Sequence, residues 1–263
     1  MVSVILLAQP ALLRITAEDM RAVFRSASAR GRRRGTYAMQ VLRAVLNWHG
    51  FKVPGNPLGK EVAGKDRIVL GKTSGNPKPI PPERLAAWWR AATELAGREA
   101  ADFYRLLLLT GLRPGELSAV TLRSVDLPGA RMELKDTKNR RDHLVLLSTQ
   151  AAAIVAQYAK GKRAGQRLFT LTDGRKALAA INAEASTQVK PHGLRATFAS
   201  VAEELVSAYT LKRLLNHANT DDVTGAHYVA KSEAQLRDAW QAVADFITRT
   251  SRGKRRQGAS RSH

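Results

Sequence analysis

The chain has 263 residues, 44% of them hydrophobic, which is enough for one large or two modest globular domains and excludes a disordered chain. Lys and Arg number 43 against 22 Asp and Glu, a formal charge of +21 that exceeds what solubility asks for and points to a polyanionic partner. Cysteine is absent, so disulfides, thiolate metal sites and cysteine nucleophiles are excluded, in keeping with a reducing cytoplasm. Basic clusters at Arg30, Arg32, Arg33 and Arg34, at Lys138, Arg140 and Arg141, and at Arg252, Lys254, Arg255 and Arg256 spread the charge along the chain, as gripping an extended phosphate backbone requires. On charge alone, a basic RNA-binding or ribosomal-type protein is the competing reading.

The opening Met1 to Leu13 is apolar but lacks a basic leading stretch and is interrupted by Gln9 and Pro10. It falls short of the ~20 residues that cross a bilayer, so it reads as a core segment rather than a signal peptide, and no membrane partner is expected. Thr16 to Asp19 offers a capped start to a helix running to about Ala29. Thr36 to His49 sets Met39, Leu42, Val45, Leu46 and Trp48 at mostly helical intervals before Gly50, Pro54, Gly55 and Pro57 end the pattern. Residues 1–60 are thus a small basic helical unit, and 61–81, rich in Lys, Gly and Pro, a linker. Helices are predicted over Pro82 to Leu95 and Glu99 to Thr110, the second with a run Leu106 to Leu109 dense enough for burial on most sides. Between 131 and 148 the period changes: Met132 and Leu134, a polar turn from Thr137 to Asp142, then Leu144 to Leu147 predict a β-hairpin. Helices return over Thr149 to Tyr158, Arg175 to Glu184, Leu194 to Glu204, Thr210 to Leu215 and Ser232 to Arg249, the last with Leu236, Trp240, Val243, Phe246 and Ile247 on one stripe. Residues 82–249 form the larger domain and 250–263 a basic disordered tail. The expected fold is mainly α with a small β-hairpin or sheet, an α+β architecture.

Four segments carry candidate chemistry. In Thr110-Gly111-Leu112-Arg113-Pro114-Gly115-Glu116-Leu117, Arg113 follows an apolar helix and its planar fork can hold two phosphate oxygens, with Glu116 in support. Thr137-Lys138-Asn139-Arg140-Arg141-Asp142-His143 is a basic turn at the hairpin tip. Pro191-His192-Gly193-Leu194-Arg195-Ala196-Thr197-Phe198-Ala199 sets a histidine and an arginine three apart at a helix start, where both face one side near the positive end of the helix. Finally, Leu211 to His217 is followed by Asp222 to Val229, with Tyr228 eleven positions after His217. Taken singly, each has an ordinary alternative: an arginine at a turn, a basic surface loop, a histidine at a helix start.

Together and in this order the four segments resemble the signature of the tyrosine recombinase, or phage integrase, family over about residues 76–249. The resemblance implies a tyrosine-recombinase catalytic fold preceded by a helical core-binding domain, shortened here, the two clamping duplex DNA. It implies six catalytic residues, Arg113, Lys138, His192, Arg195, His217 and Tyr228, with Glu116 supporting Arg113. Tyr228 would attack the phosphorus and form a 3′-phosphotyrosyl bond. Lys138, its pKa lowered by Arg140 and Arg141, would protonate the departing 5′ oxygen, with Lys135 the runner-up. His192 is the preferred general base, and His217 would bond a non-bridging oxygen or the nucleophile. His227 receives no catalytic role, and His143 reads as a packed or solvated sheet residue. Arg113, Arg195 and Lys138 would do the charge neutralisation that Mg²⁺ does elsewhere, so neither a metal nor a cofactor is implied. Gly193, where the family carries a bulkier or acidic residue, is expected to loosen local packing.

Arg32, Arg33, Arg34, Arg140 and Arg141 are the candidate DNA contacts. The implied activity is site-specific cleavage and rejoining of double-stranded DNA by a cytoplasmic integrase of a prophage or mobile element. It would act as a homotetramer on DNA, with accessory DNA-bending or directionality proteins. The C-terminal helix either docks on its own domain or passes to a neighbouring protomer. The alternatives are a truncated, non-catalytic DNA-binding remnant and a type IB topoisomerase-like enzyme.

Overall fold

The computed structural model describes residues 14–71, 78–137, 141–171, 173–216 and 232–253, with side chains as far as Arg249. The chain divides into two compact units, Met1–Asn76 and Pro77–His263.

In the first unit, helix α1 (Ala17–Ala29) starts at a reciprocal cap: the Asp19 amide donates to Thr16 Oγ1 and the Thr16 amide to the Asp19 carboxylate. Helix α2 (Arg32–Trp48) begins four residues before its predicted start. Gly31, at φ +129°, turns the chain within one residue, and Arg32, Arg33 and Arg34 are good helix formers that fill the first turn. The core here is small: Met20, Leu46 and Val53, with Ile15, Leu42, Phe51 and Leu58 packed against them. The stretch predicted as linker holds a 3-10 turn at Gly64–Asp66, and Ile68 is buried with its amide donating to the Pro57 carbonyl at 2.7 Å.

The second unit runs through α3 (Pro82–Glu94), α4 (Arg98–Thr110), α5 (Pro114–Ala119), β1 (Val125–Asp126), β2 (Arg131–Leu134) and β3 (His143–Leu146). It continues with α6 (Thr149–Ala159), α7 (Arg175–Glu184), α8 (Pro191–Leu205), α9 (Ala208–Leu214) and α10 (Glu233–Gly253). The expected hairpin is present as β2 and β3, with Met132 opposite Val145 and Leu134 opposite His143, and β1 extends it to a three-stranded antiparallel sheet. Helix α5 has no counterpart in the sequence-based expectation, because six residues are too few to show a period. Its readable signal is Pro114 at the first helical position and Glu116 two residues on.

Helix α4 is the axis of this unit: Leu106, Leu107, Leu108 and Leu109 are all fully buried, and α3, α6, α7, α8 and α10 pack around it. Each such leucine contributes roughly 2 kcal/mol. Helix α10 docks on its own domain, the first of the two arrangements that the sequence left open. Trp240, Val243, Ala244 and Ile247 are buried, Trp240 Nε1 donates to the Thr110 carbonyl at 3.3 Å, and Gln241 and Asp245 bond to Thr149 and Gln150 of α6. The helix continues to Gly253, four residues past its predicted end, and the tail beyond lies outside the described residues. Among the described residues no helix is long and apolar enough to cross a membrane.

Helix α4 ends on Gly111, which adopts φ +69°, and a Cβ there would sit 2.6 Å from the Phe198 ring. Both the left-handed backbone and the aromatic contact require glycine. Gly111→Ala is therefore expected to destabilise this unit by about 2–4 kcal/mol, the sum of a left-handed penalty and overpacking. Urea unfolding at unchanged slope measures it.

Candidate active site

The site is built from α4, α5, the β2–β3 hairpin, α8 and α9. Arg113 is the residue capping α5. Its amide donates to Glu116 Oε2 at 2.8 Å and its Nη1 to Glu116 Oε1 at 2.6 Å, so one carboxylate holds both the backbone and the guanidinium. Both side chains are largely buried, which makes the pair stronger than an exposed one.

Arg195 lies in the first turns of α8 and is 5% exposed. Its Nη1 donates to the Gly111 carbonyl at 2.7 Å and its Nη2 to the Leu215 carbonyl at 2.5 Å. Burial, and after it the neighbouring Arg113, lower its pKa to about 10, against an upward pull from Glu116. Arg195 keeps its charge at neutral pH, and among the described residues its guanidinium makes no further hydrogen bond.

Helix α8 starts at Pro191, three residues before its predicted start, so the exposed His192 is helical and shares a face with Arg195 one turn on. Gly193 does not loosen this turn. A Cβ there would lie 2.5 Å from the Lys78 carbonyl and 2.6 Å from Val189 Cγ2. The glycine instead admits residues 78–80, where the Ile80 amide donates to Thr197 Oγ1 at 2.8 Å.

Lys138, Arg140, His217 and Tyr228 lie outside the described residues. The residues that precede two of them do not: Asn216 Nδ2 donates to Thr137 Oγ1 at 3.0 Å, which ties the base of the hairpin turn to the end of α9. Thr137 also closes that turn, its amide and hydroxyl both donating to the Arg141 carbonyl. Asn216 takes φ +48°, a left-handed conformation that asparagine tolerates. Arg113, Glu116 and Thr137 line one cleft of about 520 Å³, and Arg141, His143, Lys212 and Asn216 line another of about 480 Å³.

The model of the phage integrase family matches residues 83–235, more than half of the chain. The chain belongs to the phage integrase family. It is 35% identical over 188 residues to the tyrosine recombinase XerA of Saccharolobus solfataricus. That match covers 69% of this chain but only 58% of the relative's length. Among solved structures, XerH site-specific recombinase bound to palindromic difH substrate is similar with a TM-score of 0.55 and 12% identity, over 94% of this chain and 72% of that one. The Tn1549 transposon integrase in complex with transposon right-end DNA is similar with a TM-score of 0.53 and 13% identity, over 89% and 87%. These likenesses show the fold, which is that of tyrosine recombinases.

In this family member Lys135, the runner-up for the catalytic lysine, is exposed and paired with Asp142 at 2.9 Å and Glu133 at 3.4 Å. Hydrogen bonds to Asp142 and then Glu133 raise its pKa, the opposite of what a proton donor needs. Arg32, Arg33 and Arg34 are exposed on the first turn of α2, and no ion pair between described residues involves them. Arg141 is exposed beside the hairpin turn.

The residue whose position the sequence did not reveal is His143. It is 5% exposed, packs against Trp240, and among the described residues neither ring nitrogen completes a hydrogen bond, although the Leu214 backbone approaches the ring. Burial above all lowers its pKa to about 4, with Arg195 and Arg113 pushing the same way and Glu116 opposing. The native state thus keeps His143 neutral while the unfolded chain takes up the proton near its ordinary pKa of about 6.5. Stability associated with this group is whole above about pH 6.5 and is lost as the pH falls towards 4, by roughly 2–3 kcal/mol. His143→Phe should flatten that loss: between pH 7 and 4.5 the native chain should lose about 2 kcal/mol more than the variant in urea melts. Equal losses would show that His143 stays hydrated.

Proposed function

We propose that this chain is a site-specific DNA recombinase of the integrase type, which cleaves one strand and rejoins it through a 3′-phosphotyrosyl bond on Tyr228. The observation that carries the reading is the placement of Arg195 between the Gly111 and Leu215 carbonyls, beside the clamped Arg113, with Leu215 two residues before His217 in the sequence. Two fixed guanidinium groups are what a pentacoordinate phosphate needs, since its charge grows as the nucleophile arrives.

In this reading Tyr228 Oη attacks phosphorus and gives up its proton to His192. The bond from phosphorus to the 5′ oxygen breaks, and Lys138 protonates that oxygen as it leaves. Arg113, Arg195 and His217 bond the non-bridging oxygens. Rejoining runs the steps in reverse with a 5′ hydroxyl as nucleophile, so the bond energy is conserved and no nucleotide is consumed. Residues 1–60 and the arginines Arg32, Arg33, Arg34, Arg140 and Arg141 grip the duplex, 61–81 connect, 82–249 carry the chemistry and 250–263 form a basic tail. The working form is a homotetramer on DNA in the cytoplasm, helped by DNA-bending or directionality proteins.

The test is incubation of the full chain with nicked suicide duplexes at low salt, followed by denaturing electrophoresis. A covalent adduct is expected; Tyr228→Phe should abolish it while leaving DNA affinity within about twofold, and Arg195→Ala should lower its rate by at least about a hundredfold. An adduct formed normally by Tyr228→Phe overturns the assignment. Binding without any adduct on a verified site identifies a non-catalytic remnant, and relaxation of a single supercoiled circle without synapsis a topoisomerase.

A further inference from the structure

The first unit leaves one hydrophobic row uncovered. On α2, Tyr37, Val41, Val45 and Trp48 follow one another at intervals of four, four and three, which places them on one face of the helix. Trp48 is 88% exposed and Tyr37 67%, with Val41 at 46% and Val45 at 37%. The other side of α2 is satisfied, with Met39 and Leu46 buried. Single exposed valines are ordinary, but an indole and a phenol ring in line with two of them make a contiguous patch of the kind that marks a contact.

We propose that this row is the docking surface for the chain's own residues Val2–Leu13, which lie along α2 and complete the core of the unit. Chain direction favours it. Met20, near the start of α1, packs with Leu46, near the end of α2, so the two helices run antiparallel and the chain enters α1 at the Trp48 end. Reach is sufficient: Tyr37 to Trp48 spans about 16 Å at 1.5 Å per residue, and twelve residues cover about 18 Å as helix and more when extended.

Chemistry selects the occupant. From Val2 to Leu13 nine of the twelve side chains are apolar and none is charged. From Arg14 to Asn76, by contrast, Lys and Arg outnumber Asp and Glu thirteen to four, so a second copy facing the row would bring like charges together. Nucleic acid would call for cationic or hydrogen-bonding groups where Val41 and Val45 stand. The occupant that meets the apolar row without a charge penalty, and arrives already tethered beside it, is the chain's own start.

The absence of cysteine makes the test clean. The full chain carrying Leu6→Cys together with Tyr37→Cys, Val41→Cys or Val45→Cys is oxidised mildly, without DNA, and run unreduced. At least one pair should give an intrachain disulfide, seen as a faster-migrating monomer. Maleimide labelling of the single Val41→Cys variant should be about tenfold slower than in the same variant carrying Leu6→Asp and Leu7→Asp, because the thiol reacts only when the segment is off. Disulfide-linked dimers would mean that a second copy covers the row. Labelling unaffected by the aspartates and blocked only by duplex DNA would make it a nucleic-acid face, and rapid labelling of every variant with no disulfide would leave it bare. Each of these three results overturns the proposal.

Discussion

Arg195 is a guanidinium taken out of water, and the second unit is arranged around the two carbonyls that compensate it. A buried cation without partners is costly enough to unfold a domain, whereas one bonded to peptide oxygens is held in a single orientation. Those oxygens come from residues 84 and 20 positions away, at the end of α4 and the end of α9. Each is presented by backbone that is itself constrained. Gly111 needs a left-handed φ against Phe198, and the carbonyl before it accepts the Trp240 indole. One charge therefore sets the relative placement of α4, α8, α9 and α10. The apolar core supplies stability, and this polar junction supplies the register.

The charge balance at that junction bears on the proposed chemistry. Arg113 and Arg195 bring two positive charges, Glu116 returns one, and His143 is held neutral by burial. A net positive charge remains in a partly desolvated setting, where attraction for a phosphate is far stronger than in bulk water. A protonated His143 would add a third cation with no partner. Glu116 is not merely a counter-ion: by taking the Arg113 amide and its guanidinium together it fixes the side chain before any ligand arrives. In the proposed reaction, groups set in advance would need no reorganisation as charge develops.

The periodic part of this architecture was legible in the sequence. The Leu106–Leu109 run, the hairpin around Thr137 and the α10 stripe each bury enough regular apolar surface to leave a pattern. Arg113, Glu116, His192 and Arg195 could be singled out as candidates because their functional groups are side chains at helix-compatible spacings, and the structure brings Arg113 and Glu116 beside Arg195. The supports were not. The carbonyls of Gly111 and Leu215 carry no residue-type signal, and the Asn216–Thr137 bond joins residues 79 positions apart. Gly193 misled for a related reason: a missing side chain suggests slack, but here the main chain of Lys78 moves into the space. His143 alternates correctly in its strand, yet nothing local says that the neighbouring elements bury both of its nitrogens.

The two units differ in what stabilises them. The larger core runs through α3 to α10 and needs nothing further to account for its cohesion. The smaller unit rests on Met20, Leu46 and Val53, while α2 opens with three consecutive arginines at the end of a helix where the peptide dipole is already positive. That repulsion is a standing cost in the free chain, and a line of phosphates would remove it. An anion that binds the folded unit and not the unfolded one stabilises it in proportion to its excess over the dissociation constant. A weak core bearing a repulsive basic helix end is thus a poor design for a free-standing domain, and under the proposed function it would suit a grip that firms up on bound DNA.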